Sequence, residues 1–77
     1  MIKKENLLLK FGQQVRDIRK FKHLSQENLA HKANLHRTYI GMIERGEKNI
    51  TLLNFFKISE ALETNPSILI GFYKING

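Results

Sequence analysis

The stretch SQENLAHKANLHRTYIGMIERG, residues 25–46, holds two short helical patterns separated only by Asn34 and Leu35. Ser25 is a predicted N-cap, opening a helix from Gln26 to about Ala33. Asn34 tolerates the left-handed conformation and is the predicted stop. The next helix runs from His36 to Arg45, closed by Gly46 as a C-terminal glycine. Two helices joined by so short a turn have the layout of a helix-turn-helix, which dictates residue types at set offsets. Counting Gln26 as the first position, the backbones approach at the fifth, where a small residue is required and Ala30 stands. The ninth needs a turn former followed by an apolar plug, supplied by Asn34 and Leu35. Leu29, Ile40 and Ile43 complete the buried set, and no proline interrupts either helix.

Anchoring the second helix through Ile40 and Ile43 turns Arg37, Thr38, Gly41 and Met42 outward. Such a face suits a DNA groove better than it suits water. With the N-terminal end of the helix in the major groove, Arg37 can donate two hydrogen bonds to guanine O6 and N7, which discriminates by about 1–3 kcal/mol. Thr38 can bond a base edge or touch a thymine methyl, and Met42 offers apolar contact. A solvent-exposed or phosphate-binding role is the alternative for Arg37. Gly41 costs about 1 kcal/mol relative to alanine in a helix interior. It provides clearance for DNA or the adjacent helix, or is merely a tolerated small residue.

Outside this stretch, Leu8, Phe11, Val15 and Ile18 give a first amphipathic helix over about residues 4–21. Thr51 is a further N-cap, followed by a stripe of Leu52, Phe55, Ile58 and Leu62. Asn65-Pro66 opens a short last helix. With no strand-like alternation, repeat or linker, the prediction is an all-α, compact five-helix bundle forming a single domain over residues 1–77.

The positive charge is concentrated. Residues 1–48 carry eleven Lys or Arg against five acids, whereas residues 49–77 are balanced. That distribution suits a polyanion at one end and an uncharged partner at the other. The absence of cysteine excludes disulfides and thiolate metal sites and fits a reducing cytoplasm. The N-terminal MIKKENLLLKF is too short for a signal-peptide core, and no membrane partner is expected. His23, His31 and His36 lack metal-binding spacing and there is no phosphate-binding loop, so neither an enzyme nor a cofactor is expected.

SQENLAHKANLHRTYIGMIERGEKNITLLNFFKISEAL resembles the Xre-like family of phage repressor and Cro helix-turn-helix domains over about residues 12–64. LHRTYIGMIERGEKNITL is especially similar to the controller proteins of restriction-modification systems. The resemblance implies a lambda-repressor-like bundle and a dimeric transcription regulator acting on its own and the endonuclease promoter. An antitoxin-type autorepressor and a phage Cro-like repressor are the rival readings. Asn34 replaces the usual turn glycine, and His36 stands where Ser, Thr or Asp is more common.

Phosphate contacts are expected beside the base readers. Ser25, Gln26 and Thr51 sit at helix N-termini, where free N–H groups meet the positive dipole end. The resemblance implies that Gln26, His36, Tyr39, Arg45 and Asn49 also face the DNA backbone, with Lys48 joining from the loop; Tyr39 has a core position as its alternative. The family pattern also implies an internal ion pair between Glu44 and Arg19. PSILIGFY places Ile68, Leu69, Ile70, Phe72 and Tyr73 in one short piece, read as part of a homodimer interface within residues 65–77 or as closure of the monomer core. The expected partners are double-stranded DNA with a pseudo-palindromic operator, a second copy of the chain and, beside a promoter, RNA polymerase.

Overall fold

The structure is a computed structural model that describes residues 3–72. Five helices follow one another: α1 Lys4–Phe21, α2 Gln26–Ala33, α3 Arg37–Glu44, α4 Leu52–Ala61 and α5 Pro66–Leu69. The predicted third helix was one residue too long at each end, because His36 and Arg45 are its caps.

Side chains close four of the five helix starts, all but that of α1. Ser25 Oγ accepts from the Asn28 N–H at 3.0 Å, Thr51 Oγ1 from Asn54 at 3.1 Å and Asn65 Oδ1 from Ser67 at 2.9 Å. His36 caps too, its Nδ1 accepting from the Thr38 N–H at 3.1 Å. Thus the N-termini of α2, α3, α4 and α5 each satisfy one of their otherwise orphaned donors.

The helix ends share a second device. Asn34 adopts φ 56° and Gly46 φ 72°, as their chemistry predicts. Leu35 N–H then donates back to Ala30 O, and Glu47 N–H to Met42 O, both at 2.9 Å. The same turn ends α1 at His23 (φ 59°) and α4 at Glu63 (φ 52°), neither of which announces it in the sequence. There, recovered carbonyl partners offset a left-handed strain of roughly 1–2 kcal/mol.

The core unites Phe11 and Val15 of α1, Leu29, Ala30 and Ala33 of α2, Ile40 and Ile43 of α3, Ile58 and Ala61 of α4 with Leu62 just beyond it, and Leu69 of α5. α3 packs on α1 and α2, α2 on α4, and α5 on α4 and α1. Every buried residue predicted for the helix-turn-helix lies inside or against this core. α1 meets α3 so closely at Gly12 that a methyl group there would fall 2.7 Å from the Glu44 carbonyl oxygen and nearer still to that of Ile43.

Two core assignments need correction. Leu52, predicted in the buried stripe of α4, is 72% exposed. It is the first residue of α4, so the helical face that buries Ile58 and Leu62 leaves the core before reaching it. Leu69, predicted at a dimer interface, is fully buried in the protein's own core, because α5 turns that side chain inward onto α1 and α4.

Candidate nucleic-acid interface

α3 has two distinct sides. Ile40, Ile43 and Glu44 are buried, whereas Arg37 and Thr38 are exposed at its N-terminal end and Met42 is half-buried. Gly41 departs from the outward position predicted for it. It is buried because the Arg45 guanidinium and the Gln26 side chain lie across it: a methyl at Gly41 would meet Arg45 Nη1 at 3.1 Å and Gln26 Oε1 at 3.6 Å.

Glu44 and Arg19 form the ion pair that the family pattern implied. Arg19 Nε donates to Glu44 Oε2 at 2.6 Å and Nη2 to Oε1 at 3.0 Å, in a forked geometry that fixes the angle between the two side chains. Arg19 Nη1 also donates to Leu24 O at 2.9 Å, tying the turn before α2 into the same network. Two further groups reach Glu44 that sequence reasoning missed. Gln26 Nε2 donates to Oε1 at 3.0 Å, and Arg16 Nε stands 3.7 Å from the same oxygen. Arg16 precedes Arg19 by one helical turn, and that i, i+3 spacing was its available signal. The Gln26 amide is therefore held by α3, leaving its backbone N–H at the helix start as the group open to an anion.

Tyr39 takes up part of the core position given as its alternative. Its ring is half-buried against the core, while its hydroxyl accepts from Asn54 Nδ2 at 3.0 Å and so links α3 to the first turn of α4. The network from Gln26 through Glu44, and from Tyr39 to Asn54, joins the beginnings of α2 and α4 to α3. Ser25, His36, Arg37, Thr38, Arg45, Lys48, Asn49 and Thr51 are all exposed.

Arg45 also has a partner that the sequence reading did not assign. Its Nε and Nη2 donate to the two carboxylate oxygens of Glu47 at 2.9 and 3.1 Å. That hydrogen bond, helped by the attraction of opposite charges, holds the Glu47 carboxyl below its usual range and raises the Arg45 guanidinium.

Of the remaining residues assigned to self-association, Ile68 and Ile70 are about half exposed and Phe72 is half-buried against the core. Tyr73 lies outside the described residues. Leu53 and Phe56 of α4, not singled out from the sequence, add further exposed apolar surface. Among the described residues there is no cluster of metal-ligating side chains and no helix long and apolar enough to cross a membrane.

Residues 15–69 match the helix-turn-helix family HTH_3. Control protein C.BamHI of Bacillus amyloliquefaciens is 52% identical over 71 residues, covering 91% of this chain and 88% of the relative. Control protein C.SmaI of Serratia marcescens is 47% identical over 59 residues, covering 75% and 70%. The crystal structure of the restriction-modification controller protein C.AhdI from Aeromonas hydrophila superposes with a TM-score of 0.79 at 47% identity, over 80% of this chain and 94% of that one. These relatives are regulators and not enzymes. With its helix-turn-helix built as theirs is, the chain belongs to the Xre-like helix-turn-helix family (HTH_3) and, within it, to the DNA-binding control proteins of restriction-modification systems.

Proposed function

We propose that this protein acts as a homodimer on a pseudo-palindromic operator, regulating its own promoter and that of the restriction endonuclease. The observation carrying this reading is the division of α3, whose Ile40, Ile43 and Glu44 are locked inward while Arg37 and Thr38 stand free at its N-terminal end. Arg37 and Thr38 read bases in the major groove, with Met42 making apolar contact. Ser25, Gln26, His36, Tyr39, Arg45, Lys48, Asn49 and Thr51 hold phosphates, the capped N-termini of α2, α3 and α4 contributing backbone N–H groups.

Ile68, Ile70 and Phe72 form part of the twofold interface, with Tyr73 continuing the segment and Leu69 fixing it from within. Pairing sets two recognition helices about one DNA turn apart, roughly 34 Å. The site of action is the cytoplasm, on the nucleoid, with RNA polymerase as the neighbouring partner at the promoter.

Selection of bound duplexes from a random pool tests this reading. A palindrome should be enriched by the protein, and Arg37→Ala should relax the preference at one position of each half-site. Enrichment of no palindrome refutes specific operator binding. Equal loss of affinity on every sequence makes Arg37 a phosphate contact instead.

A further inference from the structure

Two carboxylates flank the C-terminal end of α3, and they are treated oppositely. Glu44 is buried and compensated by Arg19 and Arg16. Glu47 is exposed, and its salt-bridge partner is Arg45. An exposed ion pair contributes little to folding, and an uncompensated acid beside a DNA-binding face repels phosphate. Yet Glu47 is held firmly in place: Gly46 turns the chain at φ 72°, and the Glu47 N–H donates to Met42 O at 2.9 Å. Its carboxylate engages Arg45 through both oxygens, the same forked pairing a guanidinium makes with phosphate. The glycine at position 41 leaves room for the guanidinium to lie in this tethered position.

We infer that Glu47 is a positioning residue and an internal stand-in for DNA phosphate, tethering Arg45 and thereby lowering the affinity of the protein for DNA irrespective of sequence. The inference rests on the reading of Arg45 as a phosphate contact. Transfer of Arg45 from Glu47 to a phosphate exchanges one ion pair for another, so the gain is small and the carboxylate released faces the DNA backbone. Base reading by Arg37 and Thr38 is untouched, so operator binding and general binding weaken by a similar factor and the ratio between them is kept.

The test compares the full-length protein with Glu47→Gln, Arg45→Gln and the double variant. Binding to a mixed-sequence duplex is followed by fluorescence anisotropy across a series of salt concentrations. Glu47→Gln should bind about two- to fivefold more tightly per subunit, the scale of an exposed ion pair. Its salt dependence should steepen by about 0.9 per subunit, because Arg45 then meets its phosphate without freeing a carboxylate that draws in a cation. The gain should largely vanish in the Arg45→Gln background, and the thermal midpoint of Glu47→Gln should stay near that of the wild type. Unchanged or weaker binding by Glu47→Gln, or an unchanged salt slope, overturns the inference. So does an equal gain with Arg45 already removed, which makes the effect one of net charge alone. If Arg45→Gln binds as the wild type does, the phosphate-contact reading of Arg45 falls together with the inference. If Arg45→Gln binds weakly while Glu47→Gln changes nothing, only the inference falls.

Discussion

Replacing Glu44 with alanine isolates what the buried ion pair contributes. Glu44 is 5% exposed and Arg19 7% exposed, so deleting the carboxylate strands a guanidinium whose remaining protein acceptor is Leu24 O. Breaking a buried pair in this way costs about 3–5 kcal/mol. A chain of 77 residues has a total stability of about 4–12 kcal/mol, so the variant is expected near the edge of folding. At about 4–8 °C per kcal/mol for a domain of this size, the thermal midpoint should fall by at least about 12 °C. The control is Arg19→Met with Glu44→Leu, which removes both charges at similar volume and should recover most of the stability. Thermal and urea unfolding followed by circular dichroism measure both, and DNA anisotropy on the double variant then reports whether the pair orients α3. A loss below about 1 kcal/mol for Glu44→Ala, or a double variant as unstable as the single one, would refute the stranded-charge reasoning.

The two helix-interior glycines should respond in opposite directions. Gly12→Ala drives a methyl into the backbone carbonyls of Ile43 and Glu44, which cannot move aside cheaply; a net loss of about 1–3 kcal/mol in urea unfolding is expected despite the gain in helix propensity. Gly41→Ala meets only side-chain ends, so propensity should dominate with a gain of up to about 1 kcal/mol; lower stability would show that the site is tighter than 3.1 Å implies. Neighbouring residues of α5 should also separate folding from association. Leu69→Ala empties a fully buried site and should cost about 2–5 kcal/mol. Ile68→Lys alters a half-exposed residue and should leave the monomer folded but prevent dimers in sedimentation; a dimeric Ile68→Lys protein would remove Ile68 from the interface.

Much of this architecture was legible in residues 25–46 alone. Offsets along a helix are set by local geometry, so Ala30, Asn34, Leu35, Ile40 and Ile43 specify the helix-turn-helix without knowledge of the rest of the chain. Caps at Ser25, Thr51 and Asn65 were readable for the same reason, since each side chain bonds a backbone group two or three residues away. The outward placement of Arg37 and Thr38 follows once Ile40 and Ile43 are known to face inward.

Other features depend on elements distant in sequence. Gly41 reads as outward by helical phase, yet Gln26 and Arg45 cover it. Leu52 has the right spacing for the core and no core beside it, while Leu69 looked available to a partner and is enclosed by α1 and α4. The Arg19–Glu44 pair spans 25 positions, and the composition of α3 does not reveal that its acid is neutralised from α1. Sequence by itself determined the buried positions of the helix-turn-helix and where α2, α4 and α5 begin, because those properties arise within a few residues. Tertiary structure decided which charges are compensated and which apolar residues remain uncovered, because burial and pairing depend on what another segment places within a few ångströms.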